Sequence, residues 1–258
     1  MAVDKLVDST QLDADLTSVA NAIRTKGGTS AQMAFPAGFV SAVNAIPTGG
    51  GGGGIDPFPL PEGYYLPANC QKLLYAESSA AQICDTGVHP TLETKVEIAG
   101  YFIPGSYVNY AYLTGCTNPP IYISTNNYSD PPYWGFGNKS DFAAMWSSLS
   151  GIPICTISKT EGRIQNPPMP DVQRSCGATS MSGSSDTTIG IFGRYNDKTA
   201  ERLAPMRFFR ERIWEDDILI RCIFPILKDE EEVCLYDVIN GVYMPNLGTA
   251  PLVGGMSL

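Results

Sequence analysis

The chain has 258 residues, a formal net charge of −9 and only 17% charged residues, well under the usual quarter. Its 26 glycines and 20 prolines make it turn-rich, the composition of a mainly β protein built as one large domain, alone or with a smaller appendage. A net negative field without any Lys/Arg cluster excludes a nucleic-acid backbone or an anionic membrane as partner and leaves neutral ligands.

The opening MAVDKLVDSTQLDADL has spaced acidic residues and no apolar run of signal-peptide or membrane-span length, so the chain is expected to be made as a soluble protein. From Thr10 to Arg24, Leu12, Leu16, Val19, Ala20 and Ile23 recur at the spacing of one helical face. Thr10 and Asp13 suit a capping box, and Gly27-Gly28 suit a stop. A second short helix is predicted from Pro36, presenting Phe39, Val40, Val43 and Ile46. Residues 1–48 thus read as a helical hairpin too small to bury a core alone. Self-association, docking on a larger assembly, or packing back on the rest of the chain would each cover its apolar face.

Within this segment, Ala20-x-Ala22-Ile23-Arg24, the Lys26-Gly27 turn and Phe35-Pro36-x-Gly38-Phe39 before Ile46 carry a resemblance. The segment resembles a small module near the start of tail and baseplate-associated proteins of phages that infect Gram-positive bacteria. The resemblance implies a virion tail context and brings no functional residue with it.

Residues 49–68 read as a linker. Gly49 to Gly54 are expected to behave as a random coil, and Pro57, Pro59 and Pro61 as extended backbone, a swivel followed by a spacer. An inert connector has the same composition.

Residues 69–258 alternate short β-like runs with turn residues: 72–78, 95–103, 121–125, 154–158, 188–195, 206–214, 218–224, 233–238 and 242–244. Such spacing predicts a sandwich or barrel. Asn240-Gly241 is the strongest hairpin signal, and Asp216-Asp217 can turn similarly, though neither is a glycine. Seven cysteines without CxxC or Cys/His spacing are expected to be reduced, buried thiols, with neither a disulfide frame nor a metal site.

A second resemblance rests on Gln82-x-x-Asp85-Thr86-Gly87 followed by the Lys95 to Ile98 strand. At the other end it rests on Leu219-x-Arg221, Leu235-Tyr236-Asp237, Asn240-Gly241, Tyr243 and Asn246-x-Gly248-Thr249. These resemble the two ends of a concanavalin-like, laminin-G-type sandwich, common in phage tail and adhesion proteins. The resemblance implies an antiparallel β-sandwich (jelly roll) whose loosely matching middle, about 105–186, carries its variation. Glu211 departs from the pattern, standing where an apolar side chain is frequent.

Enzyme chemistry finds little footing. His89 is the sole histidine, no Gly-x-Ser-x-Gly elbow accompanies it, and VHPTLET reads as a turn. No strand-borne carboxylate pair of a glycosidase appears, and Asp229 to Glu232 read as a hydrophilic turn rather than a calcium ligand set. The glycine run lacks the Lys-Ser/Thr of a phosphate loop, so no cofactor is expected. The stretch Tyr122 to Phe142 instead mixes amides, a carboxylate and aromatic rings, which suits the hydroxyls and apolar ring faces of a neutral glycan. The candidate glycan-binding residues are Asn126, Asn127, Tyr128, Asp130, Tyr133 and Trp134; inward core positions for Trp134 and Phe136 are the alternative. Tyr101, Tyr107, Tyr110 and Tyr112 form a second aromatic group with the same ambiguity.

The function expected is a non-enzymatic virion tail protein, assembled in the host cytoplasm. Its sandwich would bind a host cell-surface polysaccharide during adsorption, and its N-terminal hairpin would hold other tail proteins or form a homotrimer that adds avidity. A purely structural tail protein, or a polysaccharide depolymerase, are the other readings.

Overall fold

A computed structural model describes residues 56–103, 111–126, 129–142, 151–166, 169–182, 187–196, 199–201, 203 and 205–257, with helical residues at 13, 16–21 and 38–39. The chain divides into two compact units, 1–56 together with Leu258, and 57–257. In the first unit, 13, 16–21 and 38–39 fall inside the two predicted helices, whose remaining residues lie outside the described ones, as does the glycine run.

The second unit is an antiparallel β-sandwich. In chain order its strands are β1 (Cys70–Ser79), β2 (Cys84–Asp85), β3 (Lys95–Phe102), β4 (Tyr112–Thr117), β5 (Pro120–Asn126) and β6 (Ser129–Phe136). There follow β7 (Lys139–Phe142), β8 (Ile154–Ile157), β9 (Glu161–Asn166), β10 (Met169–Ser175), β11 (Gly190–Ile191) and β12 (Arg194–Asn196). The last are β13 (Thr199–Glu201), β14 (Pro205–Glu215), β15 (Ile218–Lys228), β16 (Glu232–Asp237), β17 (Val242–Met244) and β18 (Val253–Ser257). The large sheet runs β10-β9-β8-β3-β14-β1-β15-β16-β17, with β18 also on β1; the small sheet runs β2-β11-β4-β5-β6-β7. β14 and β15 pair near their turn and then fork, so that β1 enters between them, Ala76 to Ser79 against β14 and Cys70 to Lys72 against β15.

Alternation along β14 sorts its side chains. Met206, Phe208 and Ile213 enter the core between the sheets, with Ile98 and Ile223 from the large sheet and Leu113, Ile121, Ile123, Trp134 and Phe136 from the small one. A bulge between Phe208 and Arg210 turns Phe209 to the outer face, where it joins a second apolar cluster with Phe58, Phe224, Ile226 and Tyr236.

Several expectations are corrected by this arrangement. The 188–195 run is two strands, β11 and β12, interrupted where Phe192 takes φ 72°. Asp216 and Asp217 do make a two-residue turn, with φ 49° and 61°. The Asn240-Gly241 hairpin has a wider loop, closed by Gly241 N–H on the Asp237 carbonyl at 2.9 Å, because Asp237 already holds the turn. The proline half of the linker is no spacer: Phe58 is 5% exposed and, with Leu60 and Leu66, packs on the outer face of the large sheet. All seven cysteines are free thiols, with Cys70 and Cys176 only half-buried.

The motifs that carried the second resemblance hold the frame together. Asp237 is fully buried; its Oδ1 accepts from the N–H groups of Cys222 and Ile239, and its Oδ2 from Arg221 at 3.1 Å and Asn240 at 2.6 Å. Arg221 also donates to the Thr86 carbonyl, 3.1 Å away. Asp85 accepts from Gly87 N–H and the Thr188 hydroxyl, and Gln82 spans from Ser79 N–H to the Pro251 carbonyl. These groups are consumed by one another, leaving ligand chemistry to other residues.

Candidate functional site

The predicted site falls on the β5–β6 hairpin. Asn126 closes β5 opposite Ser129, and Asp130 lies near the start of β6; Asn127 and Tyr128 lie outside the described residues. Tyr133 and Trp134 are adjacent in β6 and so point to opposite faces. Trp134 is corrected to a core residue: it is 3% exposed and lies against Gly162 of β9, where a Cβ would come within 2.3 Å of its ring. Tyr133 faces outward and is half-buried.

On that outer face the small sheet carries a row of tyrosines, one per strand, from β4, β5 and β6. The Tyr112 and Tyr122 ring centroids are 5.1 Å apart at 63°, and those of Tyr122 and Tyr133 are 5.7 Å apart at 42°. The register explains the row, since Gly115 stands opposite Tyr122, and Tyr122 in turn stands opposite Gly135. A Cβ at Gly135 would meet Tyr122 Cζ at 2.3 Å, and one at Gly115 would meet the Ile121 carbonyl oxygen at 2.2 Å. Gly135 thus leaves room for the Tyr122 ring, and Gly115 for the close approach of the β5 backbone. Burial, and then the hydrogen bond with Tyr133, push the Tyr122 phenol upward, so its hydroxyl remains a neutral donor and acceptor. Arg194 of β12 caps the row, with its guanidinium carbon 5.7 Å from the Tyr112 ring centre and Nη1 donating to the Thr117 hydroxyl at 3.3 Å.

Chemically the row offers aromatic surface and phenolic hydroxyls at a strand-to-strand step, with one guanidinium at its end. Tyr112 is 6% exposed, so Tyr122 and Tyr133 are the members with surface to offer. Sequence reasoning selected Tyr133 and missed Tyr122. The signal was present: Ile121 and Ile123 alternate with Tyr122 and Ser124, while Trp134 and Phe136 alternate with Tyr133 and Gly135. Tyr101 and Tyr112 do not form one group, because Tyr101 packs near Phe209 on the large sheet's outer face; Tyr107 and Tyr110 lie outside the described residues.

Other chemistry-bearing groups are engaged structurally. His89 Nδ1 lies 3.0 Å from the Thr187 carbonyl oxygen, which fixes that nitrogen as a donor. Asp229 and Glu230, with φ 52° and 62°, form the turn between β15 and β16, and Asn69 donates to Asp229 at 2.8 Å. Among the described residues, no group of three His, Cys, Asp or Glu side chains converges as a metal site. Glu211 stands within the apolar core: fully buried, it accepts from the Thr114 hydroxyl across the two sheets, and its Oε2 has no hydrogen-bond partner among the described residues. Burial pushes its carboxyl up to about 8.

No known protein-family profile matches the chain, and no curated protein sequence is significantly similar to it. Among solved structures, the fold is similar to a crystal structure described as a "putative carbohydrate binding protein" from Bacteroides ovatus, with a TM-score of 0.51 and 11% identity. The likeness covers 72% of this chain and 60% of that one. At that identity the shared property is the fold.

Proposed function

We propose that the sandwich is a non-enzymatic carbohydrate-binding domain that takes a neutral glycan on the outer face of the small sheet, with Tyr122 and Tyr133 as the contact pair. The tyrosine row carries this reading. Stacked phenols supply the apolar surface a pyranose ring face needs, and their hydroxyls supply hydrogen bonds without the cost of desolvating an ion. The description of the Bacteroides ovatus protein as carbohydrate-binding lends it support.

The chain's wider role in this proposal is that of a virion tail protein. The sandwich engages a host cell-surface polysaccharide during adsorption, and the segment before the glycines attaches to other tail proteins or gathers three copies. Support comes from the N-terminal motifs, and from the gain in avidity that several weak heads bring to a repetitive surface. A test is adsorption of the purified full chain to cell walls of Gram-positive hosts, with soluble wall polysaccharide as competitor. Saturable, competable adsorption that weakens in Tyr133→Ala is the expected result. Adsorption equal to that of an unrelated acidic protein would refute the proposal and leave a structural tail protein as the better reading.

A further inference from the structure

Residues 57–66 cross the outer face of the large sheet without joining its ladder. Pro57, Pro59 and Pro61 bring no N–H to a strand pairing, and backbone hydrogen bonds described nearby are local turns, Tyr64 N–H to Pro61 O at 3.1 Å and Cys70 N–H to Pro67 O at 2.9 Å. Side chains fix the segment instead. The Phe58 ring lies 6.1 Å from that of Phe209, with the Arg210 guanidinium carbon 4.8 Å from its centre, and the Lys72 ammonium donates to the Phe58 carbonyl. Leu60 and Leu66 rest on the same cluster, while Tyr65 is 82% exposed. The strands beneath are paired independently of this segment, β14 to β3 and β15, and β15 to β16.

We infer that residues 57–66 are a releasable latch, anchored by Phe58 between Arg210 and Phe209, whose release adds length to the tether that leads into the sandwich. Released, it adds ten residues that, in extended proline-rich backbone at about 3.1 Å each, lengthen the reach by roughly 30 Å. Release uncovers the apolar cluster to water, so the docked state is the resting one, and a pull or a competing contact on the preceding segment shifts the balance. A head that must find a surface while its base is fixed gains a short and a long tether from one sequence.

The thiols of the full chain report on this. Cys222 belongs to the cluster that Phe58 closes, whereas Cys116 and Cys155 lie between the sheets, and all three are at most 2% exposed. Alkylation by N-ethylmaleimide, read residue by residue by mass spectrometry, is the experiment, with small-angle scattering for the maximum dimension. Phe58→Ser should raise the Cys222 rate at least tenfold, leave Cys116 and Cys155 at their wild-type rates, and lengthen the particle. Lys72→Met, which removes the ammonium and spares the ring, should move Cys222 in the same direction by less. Unchanged Cys222 rates in both variants would overturn the latch. So would a joint rise of all three thiols in both, since that reports unfolding and makes the segment an integral part of the fold.

Discussion

Replacing Glu211 by Gln should stabilise the sandwich by an amount that grows with pH. The carboxyl is fully buried between β14 and β4, with the Thr114 hydroxyl as its one described partner and a bare Oε2. Its pKa rises from 4.5 to about 8 through burial, the Thr114 bond opposing only in part. Because the folded value lies above the unfolded one, the group's favourable contribution is complete below pH 4.5 and is lost as pH rises toward 8. At about 1.4 kcal/mol per pH unit, the loss is roughly 1–2 kcal/mol at pH 5.5, about 3 at pH 7 and nearly 5 at pH 9. Glutamine has no such term, so its advantage over the wild type should widen by about 3 kcal/mol between pH 5.5 and pH 9. Urea unfolding of both proteins at the three pH values measures this, and any constant offset from the new amide cancels in the comparison. Parallel stability profiles would refute the reasoning and mean that Glu211 is ionised or hydrated in the folded protein.

Three further outcomes follow from packing. Trp134→Ala should cost about 3–5 kcal/mol in urea unfolding, since it empties an inter-sheet site, while Tyr133→Ala next to it should cost far less. Asp237→Ala leaves Arg221 and the N–H groups of Cys222 and Ile239 without their carboxylate, and should lower stability by about 3–5 kcal/mol. Gly135→Ala places a methyl group 2.3 Å from Tyr122 Cζ and should cost about 1–3 kcal/mol, seen as a lower melting temperature, while weakening whatever binding Tyr122 supports.

The sandwich was legible because its strongest strands, β3, β14, β15 and β16, are long β-branched and aromatic runs bounded by turn residues. The Gln-x-x-Asp-Thr-Gly and Leu-Tyr-Asp motifs were legible too, and their meaning is structural: Asp85 and Asp237 tie loops and strands. β9 and β10 were missed, since Glu161, Arg163, Asp171 and Gln173 give them the look of a polar loop; on an outer strand pair those side chains bond one another instead. The site was half legible. Composition pointed to the β5–β6 hairpin, but composition has no direction, and only the period of two separates Tyr133 on the outer face from Trp134 in the core. The covered proline segment was hidden because proline signals a missing donor and an extended backbone, and both hold whether the segment hangs in solvent or lies on a sheet.

The central claim is a glycan site on the tyrosine row, and the most direct measurement is binding of the full chain and its Tyr122→Ala/Tyr133→Ala variant to arrayed cell-surface polysaccharides. Both proteins are to be checked for the same cooperative melt. The account predicts that the wild type retains at least one neutral polysaccharide, and that the variant loses at least tenfold in affinity for it. Equal binding by the two proteins, or none by the wild type to any glycan, would contradict it.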